Sequence, residues 1–566
     1  MNFLQKIFEN LALLPAKPIL QEVRDGQLVS TSGSELLEHI VQARRYLTLA
    51  GLRPGQRCVL LAPNSSRWVA LDLAIMAEGA IVVPLYSRQA PEELVSMMKD
   101  CSPSLICCSD QQLRDSVLSR WSKAPRVLLF DKIFAMIPDE PLQGAAAIHA
   151  SRISSLLSAE AQTPRDLKDG TPITIMYTSG TSTEAKGVVL NVGNVTFMLQ
   201  RTQQRLEELM RDVPKEGDDR VFHYLFFCFT GSWILLLTCL FRNNCLMLSM
   251  DLNKLAEEMG IARPHYFLNV PAMLERMRNG VKSQLRQKGG VSLALFERGQ
   301  SALWNRRNGQ KGLLDWFWLK LAGSLVFPKI KQHLNPNLRA LICGSAPLAE
   351  ETQLFFQMLG IPVLQVYGLT ETTAICTMDD VQEVTPGRVG PAISGIEMKL
   401  GDHDEILVRG PNVFPGYWNR PQETAEAIKD GWLHTGDQGQ VDERGNWKIV
   451  GRLKDLIITS GGHNVSPEPL EQMLLNALPE TEQAMVVGNG CKFLSVIIPG
   501  DVAKERIEVA LEAVNQHLPH YKQLRRFYLT AEPFTVENGL LTVNRKLKRA
   551  AIEARYKEQI ESLYRE

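Results

Sequence analysis

Apolar and polar positions alternate in two different periods along the first half of the chain. Leu36–Leu52 (LLEHIVQARRYLTLAGL) repeats its apolar residues at helical spacing, and Asp72–Ala80 reads as a second helix. Between and after them stand short apolar runs bounded by turn residues: Cys58–Pro63 (CVLLAP), Ile81–Tyr86 (IVVPLY), Pro125–Phe130 (PRVLLF) and Ile173–Thr178 (ITIMYT). The pattern returns at RALICGSAPL, at the helix AEETQLFFQMLG and at PVLQVYG, up to Gly368. Strands alternating with helices predict an α/β fold of parallel sheets with covering helices. From Glu405 to Tyr417 short strands and turns take over, ending in a Gly-rich stretch through Arg452. The chain divides there into an N-terminal domain, 1–450, with a β-rich subdomain at its end, and a small C-terminal α/β domain, 451–566, whose apolar strands are MVVG and LSVIIPG. The first residues, through IFENLALL, read as an amphipathic opening helix without a secretory cleavage pattern.

Two segments break the pattern. Val221–Phe241 carries no Lys, Arg, Asp or Glu over 21 residues, long enough on length alone to span a bilayer. Its aromatics and its Thr230-Gly231-Ser232 break instead predict buried core lining a pocket. Between Pro271 and Ala340 thirteen Lys/Arg face three Asp/Glu, with Trp304, Trp316, Phe317 and Trp318 interleaved. That mixture suits an anionic membrane surface or an acidic protein partner, and equally a solvated helical face with its aromatics inside.

Composition narrows the field of functions. The 566 residues are 45% hydrophobic and 22% charged, which excludes a disordered chain. Lys+Arg and Asp+Glu both number 62, so there is no global electrostatic footprint for nucleic acid. Ten scattered cysteines without a C-x-x-C pair fit a reduced, cytoplasmic protein, with membrane association left open by the basic aromatic segment.

Five short segments carry candidate chemistry. Tyr177-Thr178-Ser179-Gly180-Thr181-Ser182-Thr183-Glu184-Ala185-Lys186-Gly187 follows a strand with hydroxyls, glycines and a cation, a composition that cradles phosphates but is not a Walker loop. Tyr367-Gly368-Leu369-Thr370-Glu371-Thr372 ends a strand, where open α/β sheets form their ligand crevice, and Glu371 is a hard oxygen ligand suited to Mg²⁺ shared with substrate phosphates. Asp437, in Trp432-Leu433-His434-Thr435-Gly436-Asp437, can accept two ribose hydroxyls. Gly451-Arg452-Leu453-Lys454-Asp455 and Asn538–Arg549 (NGLLTVNRKLKR) complete the set.

In this order the five resemble the adenylate-forming superfamily, and within it long-chain fatty acyl-CoA synthetases, through NVPAMLERM (Asn269–Met277), CGSAPL (Cys343–Leu348), VRGPNVFPGYWNRPQETAEA (Val408–Ala427) and GRLKDLIITSGGHNVSPEPLE (Gly451–Glu471) as well. The resemblance implies an ATP- and Mg²⁺-dependent ligase that activates a medium- or long-chain fatty acid as its acyl-adenylate and passes it to CoA. An alternative acceptor is the phosphopantetheine of an acyl carrier protein, and a more distant alternative is a non-catalytic nucleotide-binding scaffold at a membrane. It further implies that Thr181, Ser182 and Lys186 hold the β- and γ-phosphates, that Thr178, Ser179 and Gly180 also bind the ATP, that Thr370 meets the α-phosphate, and that Thr181 and Glu371 hold the metal. Tyr367 and Gly368 would flank adenine beside Gly344, Ser345 and Ala346, while Asp437 and Arg452 would take the ribose. Lys546 would bridge carboxylate and phosphate, so that Lys546, Thr181 and Glu371 are the catalytic set. Lys454 falls at the hinge, Gly461 and Gly462 line the thiol path, and Phe229 and Trp233 line the acyl pocket. The loop departs from the family in Thr183 and Ala185, where Gly and Pro are usual, and His463 stands where long-chain members often have Lys.

Overall fold

Arg57–Leu61, Ile81–Leu85 and Leu105–Cys108 pair in parallel at the centre of a seven-stranded sheet, and nearly every side chain along them is buried. Burial on both faces is what turns these strands into unbroken apolar runs rather than alternating ones. The computed structural model describes residues 1–135, 162–178, 185–211, 219–307, 309–310, 312–542 and 545–565. Arg126–Leu129 extends the sheet on one side; Pro172–Thr178, Lys186–Asn191 and the short strand Gly416–Tyr417 extend it on the other.

A second sheet, eight strands among the described residues, runs from Thr377–Met378 through Val363–Tyr367, Leu341–Cys343, Tyr266–Asn269, Arg220–His223, Cys245–Leu248 and Pro18–Arg24 to Gln27–Ser32. Its interior pairs are parallel and its two edge pairs antiparallel. Helix Gly33–Leu49, the amphipathic segment of the sequence, starts at a capping box in which Ser32 and Glu35 satisfy each other's backbone N–H groups. It packs on helix Ser66–Ala77, which lies so deep that every residue from Trp68 to Ala77 is buried, Asp72 included. The opening helix Phe3–Leu13 turns Phe3, Leu4, Ile7, Phe8 and Leu11 into the core.

Val221–Phe241 resolves into the strand Arg220–His223, a turn, and helix Thr230–Phe241. Twelve residues at ~1.5 Å each fall far short of a ~30 Å hydrocarbon layer. Among the described residues no helix is long and apolar enough to cross a membrane. The stretch is apolar because residues such as Trp233, Leu236 and Leu237 are wholly buried.

The basic segment forms helices Pro271–Lys288, Gly290–Arg307, Asp315–Leu325 and Phe327–Leu334. Its aromatics divide between core and surface. Phe296 and Phe327 pack inward, whereas Trp316 is 64% and Phe317 47% exposed beside the exposed Leu313 and Leu314.

Glu397–Leu400, Glu405–Arg409, Ile428–Lys429, Trp432–Val441 and Trp447–Arg452 make the antiparallel β-rich part. After Arg452 the chain enters a smaller α/β unit with its own apolar core. Strands Met485–Val487, Leu494–Pro499 and Leu524–Thr530 are covered by helices Pro467–Ala477 and Lys504–Asn515. It touches the larger part through polar contacts, Lys548 to Glu93 at 3.2 Å and Gln472 to Glu275 at 3.3 Å.

Candidate active site

The strand ends of both large sheets and the C-terminal unit converge on one crevice. Pro172–Thr178 and Lys186–Asn191 are antiparallel, with Thr178 opposite Lys186, so the phosphate-loop segment connects two paired strands. Ser179, Gly180, Thr181 and Ser182, with Thr183, lie outside the described residues. Lys186, the first residue of its strand, has its ammonium 5.2 Å from the centre of the Tyr417 ring. Tyr417 is held there because Gly416–Tyr417 adds to the sheet edge against Val188 and Val189, and because the Trp418 N–H donates to the Gly187 carbonyl at 2.7 Å. Its hydroxyl donates to Glu371 Oε1 at 2.8 Å.

Glu371 sits in the turn Thr370–Thr372 that follows strand Val363–Tyr367. The Thr372 hydroxyl braces the turn by accepting from the Leu369 N–H and donating to the Leu369 carbonyl, and Thr373 Oγ1 ties it to the Asn412 carbonyl. Backbone closeness explains the glycine before it. A Cβ on Gly368 would lie 2.2 Å from the Ala374 carbonyl oxygen, a distance no side chain tolerates. Across the sheet, a Cβ on Gly344 would meet Val366 at 2.7 Å, and Ser345 holds a positive φ of 74° beside the exposed Ala346. The strand pairing of Cys343 with Gln365 brings these two glycine turns side by side.

Tyr367 is almost wholly buried and donates its hydroxyl to Asp437 Oδ2 at 2.8 Å. Asp437 Oδ1 meets Arg452 Nε at 3.1 Å, its register partner across two antiparallel strands. Burial pushes the Asp437 carboxyl upward, while Arg452, Tyr367 and Lys546 act in the opposite direction. Lys546 is exposed to solvent, and its ammonium lies within electrostatic reach of Arg452 and Asp437 of the larger part. The surrounding protein, and then Arg452, hold its pKa below the usual lysine value; Asp437, Glu468 and Asp455 oppose that. Lys546 is presented by a tight turn in which its N–H donates to Thr542 Oγ1 and its carbonyl accepts from the Thr542 N–H.

The structure therefore gathers Lys186, Tyr367, Glu371, Asp437, Arg452 and Lys546. It does not bring Gly461 and Gly462 to them: both are exposed, in a turn whose bonds run to Thr459 and Cys491 and whose His463 ring stacks on Tyr521. Lys454 is exposed in the turn Leu453–Asp455 where the chain passes between the two parts. Phe229, half-buried, joins Tyr86 and Phe226 in an aromatic cluster at the crevice. The Tyr86 hydroxyl senses Arg545 and Glu537 of the C-terminal unit. One turn along its helix, Trp233 is fully buried and donates its indole N–H to Asp72 at 2.9 Å. Tyr417 lies inside the Val408–Ala427 segment and Asp72 inside a predicted helix, but neither pattern marks its partner; both act through residues distant in sequence.

The residues present fit a nucleotide and a divalent cation held together. Among the described residues no three His, Cys, Asp or Glu side chains cluster as a self-sufficient metal cage. Glu371 offers one carboxylate to a Mg²⁺ that phosphate oxygens and water would complete, and the Lys186 ammonium adds positive charge for the same phosphates.

The sequence matches the AMP-binding enzyme family over residues 8–418 and the AMP-binding enzyme C-terminal domain over residues 454–566. The chain belongs to the AMP-binding enzyme family. Like other members of that family, it has relatives with assigned activities. A long-chain-fatty-acid–CoA ligase of Mycobacterium bovis is 26% identical over 100% of this chain and 97% of its own length. Among solved structures, ATP-bound MatB of Rhodopseudomonas palustris superposes with a TM-score of 0.71 at 24% identity, covering 98% of this chain and 99% of its own. A fatty acyl CoA synthetase of Mycobacterium tuberculosis gives 0.62 at 21% identity, covering 99% of each chain. The likeness to these structures establishes the AMP-binding enzyme fold, mixed α/β with parallel sheets and a separate C-terminal α/β domain.

Proposed function

We propose that this AMP-binding enzyme joins a medium- or long-chain fatty acid to CoA in two steps, with ATP cleaved to AMP and pyrophosphate. The observation that carries the reading is the placement of Lys546, from the C-terminal unit, beside the Asp437–Arg452 pair of the N-terminal part. The long-chain fatty acid ligase relative, aligned along the whole chain, supports the substrate class.

In the first step a carboxylate oxygen attacks the α-phosphorus and pyrophosphate departs. Negative charge collects on the phosphate oxygens, so fixed cations and donors lower the barrier. Lys186, Thr181 and Ser182 hold the β- and γ-phosphates, Thr178, Ser179 and Gly180 bind the same ATP, and Thr370 meets the α-phosphate. Bound Mg²⁺ neutralises phosphate charge, and Glu371 with Thr181 anchors it. Tyr367 and Gly368 place adenine against Gly344, Ser345 and Ala346, and the Tyr367 hydroxyl bond sets Asp437 next to that plane. Asp437 and Arg452 receive the ribose hydroxyls. The Lys546 ammonium bridges the incoming carboxylate and the α-phosphate.

In the second step the CoA sulfur attacks the acyl carbonyl and AMP leaves. With Lys546 within electrostatic reach of Asp437 and Arg452, and the Gly461–Gly462 turn bonded to Thr459 and Cys491 instead, the arrangement fits the first step. The second requires the 451–566 domain to swing about Lys454, replacing Lys546 by the Ile458–Asn464 turn, where Gly461 and Gly462 admit a pantetheine arm. Phe229 and Trp233 belong to the acyl side. The alkyl tail is taken by apolar surface at ~0.8 kcal/mol per buried CH₂.

The exposed Leu313, Leu314, Trp316 and Phe317, beside Lys320 and Arg298, favour contact of the 271–340 helices with an anionic lipid surface. An acidic acyl carrier protein, the alternative acceptor, would use the basic residues but leave that apolar tip without a role.

Pyrophosphate release with ATP, Mg²⁺ and C8–C18 acids, measured without acceptor, with CoA and with acyl carrier protein, tests the function. Multiple turnovers with CoA alone are expected. Turnover only with the carrier would replace CoA by the carrier, and no release with any acid would overturn the reading.

A further inference from the structure

Tyr417 touches both charged groups of the phosphate side at once. Its hydroxyl is 2.8 Å from Glu371 Oε1, and its ring lies under the Lys186 ammonium at 5.2 Å. Lys186 opens a strand of one sheet and Glu371 lies in the turn after a strand of the other, so Tyr417 bridges two side chains that no single element carries. The Tyr417 backbone is clamped in turn. It pairs with Val188, two residues beyond Lys186, and its own N–H donates to Thr424 Oγ1 at 2.9 Å. Phe414, whose ring packs edge-on against Tyr417 at 4.8 Å, donates its N–H to the Glu371 carbonyl. The tyrosine is thus fixed to both partners by backbone as well as side chain.

We infer that Tyr417 is a positioning residue for the metal-binding carboxylate: its hydroxyl holds Glu371 through Oε1 and leaves Oε2 to meet the cation, while its ring sets the lysine for the same phosphates. The inference rests on the proposed role of Glu371. A phenol keeps its proton at neutral pH and an ionised carboxylate only accepts, so the Tyr417 hydroxyl is the donor in this bond. A donor to one oxygen of a carboxylate fixes its rotamer. Outer-shell partners of this kind govern metal affinity by ~10–100-fold. The ring contributes separately, because a cation over an aromatic face is held without any hydroxyl.

The test is calorimetric binding of ATP to the full chain, with Mg²⁺ titrated and with EDTA present. Tyr417→Phe, which keeps the ring, is expected to raise the Mg²⁺ concentration needed for tight ATP binding by ~10-fold or more and to leave binding in EDTA unchanged. Tyr417→Leu should show the same loss and also weaken binding in EDTA, since Lys186 loses its platform. Circular dichroism and melting of each variant establish folding. Tyr417→Phe that binds ATP with the wild-type Mg²⁺ dependence, whatever its melting temperature, overturns the inference alone. A wild-type protein whose ATP binding does not respond to Mg²⁺ overturns the inference together with the metal role of Glu371, while pyrophosphate release tests the ligase reading independently.

Discussion

Asp437 and Arg452 are register partners on neighbouring antiparallel strands, and their side chains meet at 3.1 Å with Tyr367 donating to the second carboxylate oxygen. The carboxylate is nearly inaccessible, whereas the guanidinium is 41% exposed at the crevice. One group is therefore held rigidly and the other faces an incoming ligand. Asp437→Asn keeps the shape but weakens the bonds proposed to the ribose hydroxyls, since hydrogen bonds to a charged group are worth ~1.5–3 kcal/mol each. ATP affinity should fall by about 10- to 100-fold while the melting temperature changes little, read by calorimetry and thermal melting.

Lys546 provides the sharpest kinetic prediction. A cation aimed at developing phosphate charge contributes ~10²–10³-fold to rate. Lys546→Ala should slow pyrophosphate release by that factor, yet convert supplied acyl-adenylate and CoA to thioester at close to the wild-type rate. Equal losses in both half-reactions would show that the lysine serves something other than the first step.

Asp72 and Asp379 predict how stability depends on pH. Both are buried, and burial raises each carboxyl from near 3.8 to about 7; the Trp233 N–H at Asp72 and, at Asp379, bonds from Gln365 and Gln353 only partly oppose it. A carboxyl with a raised folded pKa holds its proton in the native state where the unfolded chain has lost it. These groups therefore lower stability as pH climbs from about 4 to about 7, after which their effect is constant. Asp72→Asn retains an acceptor for the Trp233 indole and carries no titratable proton. Its melting temperature, relative to wild type, should be higher at pH 8 than at pH 5. A constant difference across that range would refute the assignment.

The apolar tip of the basic segment should be separable from catalysis. Trp316→Glu with Phe317→Glu replaces two exposed side chains, so folding and turnover of a water-soluble C8 acid are expected to persist. Binding to vesicles containing phosphatidylserine, followed by sedimentation, should drop by at least ~10-fold, a loss of ~1.4 kcal/mol. Undiminished binding would place the lipid contact elsewhere or remove it.

Much of this protein is written in local pattern. The buried strands Arg57–Leu61, Ile81–Leu85 and Pro172–Thr178 appear as apolar runs, and the helix Gly33–Leu49 as a repeat behind a Ser-x-x-Glu cap, because burial and capping act on residues close in sequence. The turn at Gly368 is equally local: the backbone of Ala374 and Ile375 leaves no room for a side chain, and only glycine answers it. Other features were decided by packing. Tyr417 meets Glu371 across 46 residues, Tyr367 meets Asp437 across 70, and Trp233 meets Asp72 across 161. The division of the 271–340 aromatics into buried Phe296 and exposed Trp316 depends on which helix face finds a neighbour, since the sequence pattern is the same mixture throughout. The sequence alone thus determined the α/β order and the inventory of charged and hydroxyl groups, because periodicity and composition are properties of neighbours along the chain. Which carboxylate is braced, which aromatic is free, and that Lys546 rather than Gly461 and Gly462 faces the crevice were decided only when distant strands and the C-terminal unit came together, since hydrogen bonds and burial are set by proximity in space.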